Sequence, residues 1–163
     1  MIKVGILTAS DKGSRGERTD ESGKAIMEMV GRIEGNVAAY RMVPDERDII
    51  ASALKEMADE TGVDLILTTG GTGFSPRDVT PEATLDIIER QVPGIPEAMR
   101  LKSLQATPRA MLSRGVAGIR NRTLVINLPG SPKAVRESLE VVLPVLRHAI
   151  EILKEQTGEC AGK

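Results

Sequence analysis

Apolar runs of strand length alternate with amphipathic stretches of helical period along the first half of the chain. Residues 2–9, 37–43 and 64–69 read as strands, and 20–34 and 45–61 as the helices between them. That alternation predicts a parallel sheet, because parallel neighbours need a crossover and a helix is its usual form. Gly35 and Gly62 follow the two helical stretches as stops, and Asp45 stands where a helix N-cap belongs. From residue 80 to 112 the reading is helical, cut into short pieces by Pro93, Pro96 and Pro108. Residues 116–128 read as two short strands around Asn121-Arg122. A long helix is predicted from Pro132 to about Gln156, with Pro144 placed to bend or restart it. The expected fold class is α/β: a three-layer, doubly wound, mostly parallel sheet with helices on both faces, in one domain over residues 1–163.

Composition narrows the function. With 163 residues, 40% of them hydrophobic, and a net charge of -1, the chain reads as one ordinary globular domain. Lys and Arg number 22 against 23 Asp and Glu, so no basic excess exists to bind nucleic acid by counterion release. Phe74 and Tyr40 are the whole aromatic complement, too few for a base-stacking platform. A lone Cys160 excludes an intramolecular disulfide and a cysteine zinc site. His148, the single histidine, falls in the final helical stretch, where a packed or solvated role is expected rather than catalysis. The N-terminal run is strand-sized, and no stretch approaches the ~20 apolar residues of a membrane span. A cytoplasmic protein with no membrane partner is the expectation.

Open α/β sheets bind ligands beyond the carboxyl ends of their strands, where loops and helix N-termini present free N–H groups. Four loops meet that description. After the strand ending at Thr69, Gly70-Gly71-Thr72-Gly73 lets backbone amides approach a phosphate closely, although a tight turn off a buried strand would use the same residues. It has neither the Lys-Ser/Thr of a Walker A loop nor dinucleotide spacing. Further on, Thr80-Pro81 reads as N-cap and first helical position, which leaves Asp78 without a capping task and favours a functional role for it over an Asx-turn. Asp45, followed by Asp48, is explained locally as a cap, yet a cap also sits at the crevice. The loops at 8–16 and 127–132 can hold anions as well, with Ser131 before Pro132 a good N-cap. Arg15, Arg77, Arg114 and Lys133 lie close enough to neutralise phosphates.

The sign of charge decides the chemistry. A carboxylate ~4 Å from a phosphate oxygen is opposed by ~4 kcal/mol at an effective dielectric of ~20, so acids belong there only with a cation between. Magnesium takes one or two carboxylates plus phosphate oxygens, which suits Asp45 and Asp78 as metal holders in a nucleotide site. No histidine-activated serine and no cysteine in these loops competes as nucleophile. Phosphoryl or nucleotidyl transfer by positioning and charge neutralisation follows.

Three separated segments, TTGGTGFSPRDVTPEAT at 68–84, AMLSRGVAGIR at 110–120 and NLPGSP at 127–132, together with VPDE at 43–46, closely resemble the molybdopterin adenylyltransferase family of the MogA/MoaB type, which includes the gephyrin G domain. The resemblance runs from Ser10-Asp11 through the final helix. It implies the molybdenum cofactor biosynthesis fold and adenylylation of the terminal phosphate of molybdopterin by Mg-ATP, with release of pyrophosphate. The family's two essential acids fall on Asp45 and Asp78, which also would hold Mg2+, and this overrides the cap-only reading of Asp45. Gly70, Gly71, Thr72 and Gly73, with Ser10, would line the nucleotide; Ser103, Ser113, Asn127, Pro129, Gly130 and Ser131 match the pterin pocket. A homotrimer is implied, with a hexamer in the MoaB branch, and a molybdenum-insertion protein as downstream partner. Glu46, Ser75 and Ser131 depart from common family residues, but neither acid is lost. A noncatalytic pterin-binding or scaffolding module of the same fold is the alternative.

Overall fold

The computed structural model describes residues 1–155; Gln156 and Cys160 lie outside the described residues. Six strands, β1 (Ile2–Ala9), β2 (Gly35–Val43), β3 (Leu65–Thr69), β4 (Arg90–Gln91), β5 (Ala117–Arg120) and β6 (Thr123–Leu128), form one sheet in the order β2-β1-β3-β6-β5-β4. β2, β1, β3 and β6 run parallel, while β5 and β4 complete the edge antiparallel. The chain returns from β5 to β6 through a tight turn in which Asn121 takes a left-handed conformation that asparagine tolerates. β3 and β6 are buried along their whole length, as central parallel strands covered on both faces must be.

Six helices cover the faces: α1 (Asp11–Ser14), α2 (Glu21–Val30), α3 (Arg47–Glu56), α4 (Thr80–Ile87), α5 (Gly94–Leu104) and α6 (Pro132–Leu153). Alternation along β3 sends Leu65 and Leu67 into a core with α2 and α6, and Ile66 into a second core with α3 and α4. The three-layer α/β architecture predicted from the hydrophobic pattern is therefore the one observed. α6 runs unbroken through Pro144, which lies exposed, so water can serve the carbonyl whose donor the ring removes. His148 is exposed on the same helix, in keeping with a solvated role.

Several boundaries differ from expectation. The first helical stretch ends at Val30 and tightens into a 3-10 turn, Gly31–Ile33, so Glu34 and not Gly35 takes the left-handed stop (φ 55°). Gly62 does stop its helix at φ 69°, after a π-helical turn over Met57–Thr61. The second helix begins at Arg47, and its N-cap position is Glu46, without a side-chain bond; Asp45 is not the cap. The two-residue β4, too short for a hydrophobic period, was not legible.

A buried polar rivet joins the sheet to α4. Asn127 is 1% exposed. Its Nδ2 donates to Thr68 Oγ1 at 3.0 Å and Thr84 Oγ1 at 2.9 Å, and its Oδ1 accepts from the Val116 N–H at 3.1 Å. Such groups are costly when a partner is removed. Asn127→Ala is expected to destabilise the protein by about 3 kcal/mol, read from denaturant unfolding at unchanged m-value.

Candidate active site

The loops after β1, β2, β3 and β6 meet at one end of the sheet around a cavity of about 460 Å³, and a second cavity of about 220 Å³ lies beyond the β6–α6 loop, between α5, the 107–115 segment and α6. The β6–α6 loop is the wall between them: Gly130 lines the larger and Pro129 the smaller. Both carbonyls of this wall are tied down, Pro129 O by the Thr69 hydroxyl at 2.6 Å and Gly130 O by the Ser22 hydroxyl at 2.7 Å. Ser131 then caps α6, accepting from Ala134 N at 3.2 Å, as its sequence context implied.

The floor of the larger cavity is the turn after β3. Gly70 and Gly71 have φ of 89° and 70°, and an added Cβ would lie 2.3 Å from Ala9 O in the first case and 2.3 Å from Thr80 Oγ1 in the second. Only glycine fits this close approach. Thr80 is not the N-cap of α4: Val79 occupies that position, the Thr80 N–H donates to Gly71 O at 3.1 Å, and the Thr80 hydroxyl turns inward, buried and unpartnered. The glycine turn pressing on α4 explains why a sequence-perfect cap is not used as one.

Both acids open onto this cavity and neither is sealed. Asp45 Oδ2 accepts the Asp11 N–H at 3.0 Å, and Asp11 Oδ1 accepts the Asp45 N–H at 3.0 Å, so the loops after β1 and β2 hold each other. Arg77 donates to both oxygens of Asp11, at 3.1 and 2.9 Å. That hydrogen bonding holds the Asp11 carboxyl below its ordinary value. The Asp45 carboxyl is pushed up, first by burial and then by the nearby charges of Asp11 and Asp78. Asp78 reaches the cavity from the other side of the glycine turn, with Oδ2 accepting Ser75 N at 3.0 Å, so the Asx-type turn and the cavity-facing position coexist.

Other sequence candidates are distributed unevenly. Ser10, Gly70, Gly71 and Gly130 line the larger cavity; Ser103, Ser113, Asn127 and Pro129 line the smaller. Both amide hydrogens of Asn127 are committed internally. Thr72, Gly73 and Ser131 line neither cavity, and the carbonyls of Thr72 and Gly73 accept from Arg114 N and Nε at 2.9 and 2.7 Å. Arg114 also donates to Asp78 O at 2.7 Å and to Glu82, so it clamps the loop that carries Asp78 rather than waiting for phosphate. Arg77 and Arg15 are likewise engaged, with Asp11 and Glu17. Lys133 lies at 4.0 Å from Glu137.

Sequence reasoning missed Arg18, the cation that lines the larger cavity, and Asp20 beside it. Asp20 is saturated by Gly23 N at 2.9 Å, Thr8 Oγ1 at 2.7 Å and the Tyr40 hydroxyl, whose pKa burial and Asp20 push up to about 12. Asp20 thus already has three donors, and Glu21, which also lines this cavity, lies 3.6 Å from Lys24; among the described residues Asp45 and Asp78 are the lining acids with neither three donors nor an ion-pair partner. Among the described residues no three His, Cys, Asp or Glu converge on a common point.

This strand order, with a cavity at the strand ends beside a glycine turn, makes the chain a doubly wound α/β protein whose larger cavity lies at the strand C-termini, where such folds generally bind ligands. It belongs to the family described as "probable molybdopterin binding domain", whose pattern matches residues 5–148. It is 58% identical to the molybdopterin biosynthesis enzyme MoaB from Thermus thermophilus, at a TM-score of 0.90 over 95% of this chain and 98% of that one. It is 47% identical over 154 residues to the molybdopterin adenylyltransferase of Helicobacter pylori strain J99, covering 93% of this chain and 88% of the relative. The corresponding protein of Escherichia coli K12 is 43% identical over 143 residues, or 86% and 73% of the two chains.

The raised Asp45 carboxyl has a consequence for stability. A native pKa above the unfolded one stabilises below the ordinary carboxylate range, and that contribution is lost as pH rises through the native value. At neutral pH the native state therefore carries an unfavourable charge. Asp45→Asn is expected to raise Tm at pH 7 by about 1–3 °C, with the advantage shrinking as pH falls, checked by calorimetry across pH.

Proposed function

We propose that the chain is a molybdopterin adenylyltransferase: it joins AMP from ATP to the terminal phosphate of molybdopterin in molybdenum cofactor biosynthesis and releases pyrophosphate. The observation that carries this reading is the pair of cavities separated by one pinned loop, with both acids on the side of the larger. A nucleotide in the larger cavity and a pterin in the smaller meet over Pro129-Gly130. The chemistry is attack of a molybdopterin phosphate oxygen on the α-phosphorus of ATP, with the bond to the β-phosphate breaking. That oxygen is ionised at neutral pH, so the protein's work is alignment and charge compensation, not proton removal.

The donor set fits Mg2+ brought in with the nucleotide. Asp45 and Asp78 supply two carboxylates, the number magnesium takes when phosphates complete its shell, and no third acid converges to trap the bare ion. When bound, the ion would neutralise the phosphates facing these acids. Gly70 and Gly71 let the nucleotide approach the backbone, Ser10 lies at the same rim, and the loop of Thr72 and Gly73 acts by carrying Asp78. Ser103, Ser113, Pro129 and Asn127 contribute to the pterin wall, and Gly130 and Ser131 to its edge. The noncatalytic alternative is not favoured, because both acids face the cavity unsealed. No described helix is long and apolar enough to cross a membrane, in line with a cytoplasmic enzyme. Phe74, Leu101 and Met111, each more than 65% exposed, supply apolar surface suited to a homotrimer or hexamer; a molybdenum-insertion protein would receive the product.

Pyrophosphate release should require ATP, magnesium and molybdopterin together, and should fall at least about a hundredfold in Asp45→Asn and Asp78→Asn with the circular dichroism spectrum unchanged. Retention of turnover by both variants would sink the assignment. Magnesium alone at millimolar concentration should leave Tm unmoved, whereas magnesium with ATP should raise it.

The partition gives an independent test. A Cβ on Gly130 would meet only Gly70 Cα, at 3.7 Å, and Gly130 does not need a left-handed backbone. Gly130→Val should fold with near-native Tm, yet lose most adenylylation, measured as pyrophosphate release, because its methyls stand where the two substrates must meet.

A further inference from the structure

The smaller cavity lies between the facing sides of α5 and α6. Pro96, Met99, Arg100 and Ser103 follow helical spacing on one wall, and Ala134, Glu137 and Ser138 on the other. Its polar groups are incompletely used. Arg100 is half-buried; its Nη1 donates to Ser113 O at 3.3 Å and Gly115 O at 2.9 Å, and no carboxylate pairs with it among the described residues. On the α6 wall, Glu137 is paired among the described residues only by Lys133 at 4.0 Å, a lysine whose side chain is 87% exposed. On the same wall as Glu137, Ser138 is 1% exposed and its hydroxyl has no hydrogen-bond partner among the described residues. A buried hydroxyl left unmatched costs stability that an alanine would not, so its presence points to a ligand that completes it.

The two walls thus offer a donor on α5 and a two-oxygen acceptor on α6, with Met99, Pro96 and Ala134 as apolar surface for a flat ring. A 2-amino-4-oxopteridine presents the complementary edge: a carbonyl acceptor at C4 followed by two donors, ring N3–H and the 2-amino group. We propose that Glu137 and Arg100 are the specificity-determining pair of this cavity, the Glu137 carboxylate accepting from N3–H and the 2-amino group, and Arg100 donating to the 4-oxo oxygen. The Ser138 hydroxyl bonds a further ring heteroatom. This assignment rests on the reading of the smaller cavity as the pterin side of the site, and it goes beyond it by stating which way round the ring lies. Charge-assisted bonds of this kind discriminate strongly against an analogue lacking the donor, because the carboxylate is then left unmatched.

The test compares binding of pterin with binding of lumazine, in which an oxo group replaces the 2-amino group, by fluorescence titration of the intact protein. Wild type should prefer pterin by at least about tenfold. Glu137→Gln, whose amide can donate to the 2-oxo group, should abolish or reverse that preference. Ser138→Ala should weaken both ligands severalfold while leaving Tm unchanged or higher, the opposite of what a structural serine would do. A Glu137→Gln protein that binds pterin with the wild-type preference overturns the assignment of the edge while the cavity reading stands. A Ser138→Ala protein with lowered Tm removes Ser138 from it. Wild type that binds neither ring overturns the cavity reading and the assignment with it.

Discussion

The site depends on a close approach that no side chain permits. Where β3 ends, Gly70 passes so near the Ala9 carbonyl, and Gly71 so near the Thr80 hydroxyl, that a single added carbon would collide in either place. Because both glycines take left-handed conformations, the chain folds sharply back over β1 and α4 instead of continuing outward. That return brings the loop of Asp78 to the cavity already bordered by Asp45. Arg114 then fixes the loop from outside, through the carbonyls of Gly73 and Asp78 and the carboxylate of Glu82. Glycines set the path and an arginine holds it, so that Asp45 and Asp78 each accept one backbone N–H and still face the cavity.

The electrostatics follow from this division. Four side chains suggested themselves from sequence as phosphate cations, yet Arg15, Arg77 and Arg114 each serve a carboxylate or carbonyl of the protein. The larger cavity is left rich in acid, with Arg18 as its lining cation. A polyphosphate entering it without a metal would meet repulsion of several kcal/mol, far more than one exposed arginine returns. On the proposed reading, an excess of acid beside a glycine turn favours a metal–nucleotide complex over the free nucleotide as the ligand. The smaller cavity has the opposite character, with apolar walls and opposed polar ends, and suits a flat heterocycle.

Long periodic elements were legible because burial on both faces of β3 and β6 demands continuous apolar runs, and α6 needs one apolar stripe. The β5–β6 turn at Asn121, the stop at Gly62 and the cap at Ser131 were equally readable from local chemistry. Local chemistry failed where distant chain intervened. Thr80-Pro81 has every mark of a capped helix start, but the Gly71 carbonyl takes the Thr80 N–H. Asp45 resembles a cap, but the Asp11 backbone claims its carboxylate across 34 positions of sequence. The candidacy of Asp78 came through on a faulty premise, since the capping role assigned to Thr80 does not exist. Ser138 and Glu137 carried no motif at all, because a residue in a helix shows its unmatched polar group only when the opposite wall is in place.

Asp45 also shows why a candidate metal-binding residue is a poor structural one. Its carboxylate is half-buried and close to two others, and burial with like charge raises its pKa. The neighbouring Arg77 relieves this only in part, because its guanidinium lies on Asp11. Arg77 instead neutralises Asp11, whose own oxygen holds the Asp45 N–H, and so fixes the backbone while leaving the Asp45 charge largely uncompensated. A protein selected for stability alone would place an amide at position 45, keeping the bond to Asp11 N without the charge. On the proposed reading the carboxylate at position 45 belongs to a site that a cation arriving with the nucleotide would complete.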